Sequence, residues 1–539
     1  MHIVGLIRTP RQYETTGVGF PSRLTSPNIE FTQDLELRPE THSHMQSRVS
    51  QFAHILRTND PPADLELAQI FSLLREVEIH ISQPIHEEGD SWFHAAADDR
   101  LPTLRDALRG ATSALRRMPA EIMTQIFYES LYFEVDDPLK TLWNVLDKNQ
   151  TPWTLTGVSR RWREIAIAEN RLWSSIIIDF PLQKFSSLPQ PRLSSLIACL
   201  QRSGDHPLSI SLTDRYNDGR QMFQHLLQHS KRWKCLKLEI SASYFDILVS
   251  VKGKLPCLEF LYIKIETHAQ MQMPLDCGAF EIAPRLQDVH LLHSFVGTVN
   301  IKLPWKQLQS LTVDSLTTLY ASLKCTPQLS NLFCHFQLGR PTAITITELF
   351  NHRRQHSKIK TLVIDQATAL DKLEFPSLIF LKVFSQVNEV DAIEHIIRFL
   401  SHSFCALETL VLSSTNIHSE SEFDLLFNNT PFLRTLTMRY AEIDWDGFAR
   451  VLTITPSRTP SVPRLESLTC FFVGHLPTSS KPDYALLLEM LQSRASPASD
   501  EKHGVSSLRS VALYPPPGVI IENRSSLVSS GMEVTVEKS

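Results

Sequence analysis

Glycine is scarce in this chain, 17 of 539 residues, and with it the loops that only glycine readily forms. Phosphate-cradling loops need glycine because their backbone must approach the ligand closely and adopt positive φ. No G-x-x-x-x-G-K, G-x-G-x-x-G, G-x-S-x-G or H-E-x-x-H occurs, which argues against nucleotide enzymes, nucleophile-elbow hydrolases and zinc proteases. The sequence therefore offers no catalytic residue, no metal-ligand set and no cofactor site. Cysteine is thinly spread: Cys199, Cys235, Cys257, Cys277, Cys325, Cys334, Cys405 and Cys470 contain no C-x-x-C and read as reduced, mostly buried thiols of a reducing compartment. No apolar run reaches the roughly 18 residues of a spanning helix, and the opening MHIVGLIRTP is too short to serve as a signal peptide. A strong excess of one charge is missing too. A net charge of -5 and a pI near 6.5 leave no broad basic field, so nucleic acid is not the expected partner. The chain is expected in the cytoplasm, the nucleus or both, with no membrane partner.

With 42% hydrophobic residues the chain is globular in composition, yet 539 residues are too many for one compact core. Several domains or a repeat array follow. The most organised short stretch runs from Leu115 to Ile178. Met118-Pro119 suits a helix start, because proline has no amide hydrogen to lose at the first helical position. Ile122, Met123, Ile126 and Phe127 then fall at three- and four-residue spacing, which predicts one apolar helix face. Leu155, Val158, Trp162 and Ile165 repeat that spacing and predict a second helix, ended by Glu169-Asn170 before Leu172 and Trp173. These stripes are too short to bury a core alone, so the stretch reads as a small helical module that docks on something.

Taken together these residues resemble an F-box. The resemblance lies in the Met-Pro-x-Glu-Ile opening, the Ile-Phe four residues on, the Val-Ser-Arg-Arg-Trp-Arg centre and the Arg-Leu-Trp close. Met118, where the family usually has leucine, and Ser159, where it often has cysteine, are departures; a loop inserted over 132-152 is another. The resemblance implies that Met118, Pro119, Ile122, Ile126, Phe127, Leu155, Val158, Trp162, Leu172 and Trp173 contact a Skp1-type adaptor and, through it, a cullin.

Upstream, Leu67, Ile70, Leu74, Val77 and Ile81 form one heptad-like seam, and Leu101, Leu104, Leu108, Ala111, Leu115 and Met118 form another that runs into the module. The break at SQPIHEEGDSW is too early for a sustained coiled coil, so the two seams are expected to pair as a helical hairpin. Thr58-Asn59-Asp60-Pro61-Pro62 before the first seam resembles a segment that precedes the F-box in many basidiomycete proteins of that family. The first fifty or so residues lack sustained periodicity and are expected to be a mobile lead-in.

Beyond Pro181 the signal is repetition. An apolar-x-x-apolar-x-apolar template fits at Trp233, Leu258, Leu286, Leu308, Leu329, Ile359, Leu378, Leu407, Leu433, Leu465 and Leu508. Chance alone fits such a template in about 7% of windows at this composition. Six copies, however, carry a proline two residues before the first apolar position: Pro256, Pro284, Pro327, Pro376, Pro431 and Pro463. The spacing averages roughly 27 residues, within the range of leucine-rich repeats. Return helices are expected near Ala392 to Leu400 and Tyr484 to Leu491. The predicted fold class is thus α/β: mobile segment 1-55, helical arm 56-114, F-box-like module 115-178, irregular leucine-rich-repeat solenoid 181-515 and tail 516-539.

Side-chain alternation sends the positions between and just after the last two apolar sites to the concave face of such a solenoid. Among these, Phe380, Phe384, Arg439 and Phe471 are of the types that anchor protein interfaces and are the candidates for binding a protein substrate. His352, His356 and Arg353-Arg354 form a small basic cluster read as a helix end, or else as a contact for an acidic partner. The order arm, F-box-like module, repeats implies the substrate-recognition subunit of an SCF-type cullin-RING ubiquitin ligase. The alternatives are an interaction scaffold whose F-box-like module does not serve proteolysis, and an enzyme whose site no motif reveals.

Overall fold

The computed structural model describes residues 42-58, 60-82, 100-131, 144-180, 193-216, 218-266, 275-293, 299-336, 353-385, 391-439, 442-455, 460-471, 484-495, 505-514 and 533-536. Most of the inserted loop and of the C-terminal tail, and residues 1-41, lie outside the described residues. The chain divides into two compact units, Met1–Ser211 and Leu212–Ser539.

In the first unit, the helix Asp64–Ser82 buries Leu67, Ile70, Leu73, Leu74 and Val77. Asp64 and Glu66 in its first turn complement the positive end of the helix dipole. It packs on the helix Arg100–Thr112, and Leu104, Leu108 and Ala111 complete a common core. The two seams thus form the expected hairpin, with Ile81 left at the surface and Leu73 taken inside. Two features differ from expectation. The second seam breaks at Ser113, whose hydroxyl accepts from Leu115 N and starts the separate turn Ala114–Arg117. Residues 42-57 are also not a free lead-in: helices His42–Gln51 and Ala53–Arg57 deliver Val49, Phe52 and Ile55 to the hairpin core. Their apolar spacing spans too few turns to register as periodicity. Arg48 bonds Glu76 at 2.6 Å across this contact.

The first unit also reaches further along the chain than the sequence boundary at 181. The helix Leu193–Arg202 buries Leu196, Cys199 and Leu200, and Cys199 Sγ donates to Val145 O at 3.3 Å. Packing, rather than the onset of the repeats, sets the limit.

The second unit is α/β. Every template copy forms a strand of one parallel sheet, with strands in chain order from Trp233–Ser241 to Ser510–Tyr514 and a last strand Glu533–Val536 beyond. The register is uniform: Leu261 stands beside Val289, Val289 beside Leu311, Leu311 beside Leu332, Leu362 beside Leu381, and Leu410 beside Leu436, Leu436 beside Leu468. All three apolar positions of every copy are buried, none above 3% exposed. A one-residue slip would turn the whole row to water, which is why so regular a pattern fixes its own register.

The prolines have a defined role. Leu286 N bonds Ala283 O, Leu329 N bonds Thr326 O, Leu378 N bonds Phe375 O, Leu433 N bonds Thr430 O and Leu465 N bonds Val462 O. Each is a four-residue turn with proline second, the position whose φ the ring presets. Return helices follow several strands, among them Ala392–Ser403 and Tyr484–Ala495. In the former, Ala392, Ile393, Ile396, Phe399 and Leu400 are buried, while Ile397 is only half-buried. His356 is no part of a basic patch: it is 7% exposed and its Nε2 bonds Thr326 O at 2.8 Å. His352 lies outside the described residues.

Candidate functional site

Two regions hold the sequence-predicted contacts, one in each unit. In the first, the helix Ala120–Glu129 begins after Pro119, which caps it with φ -52° and ψ 146°. Met123 N closes the first turn on Pro119 O at 3.1 Å. The Arg161 guanidinium donates to the carbonyls of Arg116 and Met118 and so holds the chain entering that helix. Arg116 in turn donates to Ile55 O at 2.8 Å, Thr58 O at 3.0 Å and Asp60 O at 3.4 Å. The Thr58–Pro62 segment is thereby tied to the module entrance. Burial pulls the Arg116 pKa down, with Asp60 acting the other way.

The predicted second helix is two. Ser159 is extended, with φ -159° and ψ 167°, and separates Trp153–Val158 from Arg160–Ala168. Its hydroxyl accepts from Trp162 N at 3.1 Å, an N-cap that starts the second helix in a new direction. Glu169 ends that helix and Asn170–Trp173 forms a tight turn. Trp173 Nε1 donates to Ala166 O at 2.7 Å, and the Trp173 ring meets Trp153 edge-on at 5.0 Å. Arg202 lies 4.5 Å from the Trp153 ring and 4.4 Å from the Trp173 ring, a cation–π clamp from a helix that no motif in the module announced.

These contacts sort the ten predicted residues. Phe127, Leu155, Leu172 and Trp173 are at most 1% exposed. They are internal to the unit, which corrects their assignment as partner contacts: they shape the module instead. Met118, Ile126 and Trp162 are half-buried, and the Trp162 ring lies 4.9 Å from Phe127. Pro119 is exposed, and so are Ile122 at 51% and Val158 at 50%. Ile167, at 37%, is an exposed apolar residue outside the predicted set. The helix Ala120–Glu129 is therefore apolar on two sides. Met123 and Phe127 face the unit, while Ile122 faces water.

In the second unit, Phe384, Ser413, Arg439, Phe471 and Tyr514 are cross-strand neighbours in one row on the sheet face opposite the buried apolar rows. Phe380 lies in a different row, beside Thr361 and Thr409. Arg439 sits 4.7 Å from the Phe471 ring, which stacks on Tyr514 at 4.0 Å with 3° between planes. Lys382 lies 4.5 Å from the Phe384 ring. Burial lowers the Lys382 pKa, and Arg439 lowers it further. All four predicted residues are half-buried. Toward the other end of this face the charges answer one another: Glu239 lies 3.0 Å from Lys237, 3.9 Å from Arg215 and 4.0 Å from Lys264.

Among the described residues no cluster of His, Cys, Asp or Glu is placed to hold a metal ion, and no helix is long and apolar enough to cross a membrane. The thiols of Cys199, Cys334 and Cys470 are pushed up in pKa mainly by burial. Neither a model of a known protein family nor a curated protein sequence matches the chain.

Proposed function

We propose that the chain is the substrate-binding subunit of an SCF-type cullin-RING ubiquitin ligase. In this reading the module 115-178 is an F-box that docks a Skp1-type adaptor, and through it a cullin, by way of Ile122 and Val158 with Met118, Ile126 and Trp162 beside them. The second unit is an irregular leucine-rich-repeat solenoid that holds a protein partner on its outward sheet face. The observation that carries the reading is the double-sided helix Ala120–Glu129. Its inner pair, Met123 and Phe127, already closes the module, yet Ile122 stays 51% exposed. An apolar side chain left in water beside an otherwise complete core is what a docking helix requires. The chain itself would make and break no bond; it raises the effective concentration of a substrate lysine near a charged conjugating enzyme.

The test is co-purification of the full chain with a Skp1-type adaptor, beside the variant Ile122→Glu. Retention by the parent and loss by a variant of unchanged melting temperature is the expected result. A parent chain that fails to retain the adaptor, or a variant that retains it fully, overturns the reading.

A further inference from the structure

We infer that the outward row around Ser413 is a receptor for carboxylate side chains, so that the partner presents an acidic segment with an apolar residue beside the acids. The inference rests on the reading that this sheet face receives a protein. It begins from unanswered donors. Arg439 Nε and Ser413 Oγ are both buried and have no hydrogen-bond partner among the described residues, and Ser413 is 4% exposed. Ser413 is the cross-strand neighbour of Phe384 on one side and Arg439 on the other. Alternation along that strand, with Leu410 and Leu412 buried inward, turns the Ser413 hydroxyl to the same face as the arginine. Leaving such groups unpaired costs free energy in the free chain, which a ligand accepting from them would recover.

The charge points the same way. Burial disfavours the charged form of Lys382, and Arg439 is near enough to disfavour it further. Among the described residues neither cation has a carboxylate within ion-pair distance, whereas Lys237, Arg215 and Lys264 on the same face share Glu239. Two cations with no carboxylate partner among the described residues, and one hydroxyl, therefore border a strip whose rim is aromatic: Phe384 beside Lys382, and the Phe471–Tyr514 stack beside Arg439. The guanidinium fork suits a carboxylate, and the rings suit an apolar side chain next to it.

The experiment uses the full chain and a fluorescein-labelled, Gly-Ser-flanked peptide with a Glu-Phe-Glu-Asp core. Its counterparts carry a Gln-Phe-Gln-Asn core and a phosphoserine core. Fluorescence anisotropy is expected to show the acidic core binding roughly tenfold or more tighter than the amide core, with affinity falling as salt rises. Lys382→Met with Arg439→Met removes the preference; Lys382→Gln alone, which removes the charge but keeps a polar tip, weakens it in part with an unchanged melting temperature. Equal binding of the acidic and amide cores overturns the inference. So does binding of the phosphoserine core alone. A photo-crosslinking residue in place of Phe384 separates this failure from that of the underlying reading. Crosslinks to neutral or basic partner segments would sink only the acidic chemistry, and no crosslinks at all would sink the partner face with it.

Discussion

The sorting of the module residues predicts that affinity and stability can be changed independently. Ile122 and Val158 are 51% and 50% exposed. Fully burying such a side chain contributes about 1.5–3 kcal/mol, so covering the remaining half contributes about 1 kcal/mol at each position. Ile122→Ala with Val158→Ala should then weaken adaptor binding by about 2 kcal/mol, roughly 30-fold. The same pair should move the melting temperature little, because half-exposed side chains leave no closed cavity when trimmed. Trp173→Ala is the converse. Its ring is wholly buried against Trp153 and under Arg202, and cavities of that kind cost about 3–5 kcal/mol. At roughly 2–4 °C per kcal/mol for a unit of this size, the melting temperature should fall by about 10 °C. Titration calorimetry of the full chain with a Skp1-type adaptor gives the first quantity, and scanning fluorimetry the second. Were the isoleucine–valine pair to lower the melting temperature as far as Trp173→Ala, or to leave the affinity untouched, the division into inner and outer apolar residues would be wrong.

Three further outcomes follow from the second unit and from the thiols of both units. Arg494 is 0% exposed and donates to Leu452 O at 2.6 Å, Ser461 O at 2.6 Å and Val462 O at 3.2 Å; both Arg494→Ala and Arg494→Met should cost about 3 kcal/mol or more, since the carbonyls stay buried and unpaired, and a Met variant as stable as the parent in urea would refute this. Burial lowers the Arg494 pKa to about 10; the unfolded chain holds more protons than the folded one only above that value, so the charge-burial penalty is constant through neutral pH and relaxes only in strong alkali. Pro376→Ala should cost about 0.4–1 kcal/mol through the freer unfolded chain, read from the urea midpoint. Under native alkylation followed by mass spectrometry, exposed Cys325 should react before Cys199, held at about 12, and Cys405, held at about 11; early modification of either buried thiol would contradict the packing.

The repeat strands were legible because three buried positions in each copy leave one workable register, and because Pro284, Pro327, Pro376, Pro431 and Pro463 mark the same turn each time. The hairpin seams were legible for the same reason: long periodicity averages out local exceptions. What escaped was decided by single contacts between residues far apart in sequence. Apolar spacing runs from Leu155 through Trp162 without a gap, so nothing in it discloses that Ser159 caps a new helix. Spacing likewise groups Ile122 and Ile126 with Met123 and Phe127. Only the position of Trp162 against Phe127 decides which pair turns inward. Arg202 joins Trp153 and Trp173 across a stretch with no shared motif. Alternation placed Phe384, Arg439 and Phe471 on one face, but gave no reason to single out Ser413, a small polar residue with nothing distinctive around it in the sequence.

Charges on the repeats serve two ends, and whether a charge is answered within the unit tells them apart. At the start of the later strands, Arg434 lies 3.9 Å from Glu408 and 3.4 Å from Glu466, and Arg509 lies 3.8 Å from Glu466. Sign alternates from strand to strand, so each strand favours the neighbour it has; such pairs stabilise a sheet by a few tenths of a kcal/mol and disfavour wrong pairings. Folding accounts for them completely. On the outward row the rule inverts. Lys382 and Arg439 bring like charge toward the same strip, half-buried and without a carboxylate among the described residues, in a unit whose buried rows would be unaffected by neutral residues there. Within the chain each cation gains a ring contact, Lys382 with Phe384 and Arg439 with Phe471, but no carboxylate among the described residues, which is the feature the proposed acidic partner would answer. The Phe471–Tyr514 stack that flanks Arg439, with Phe384 across Ser413 in the same row, gives that strip the apolar rim the proposed partner would use.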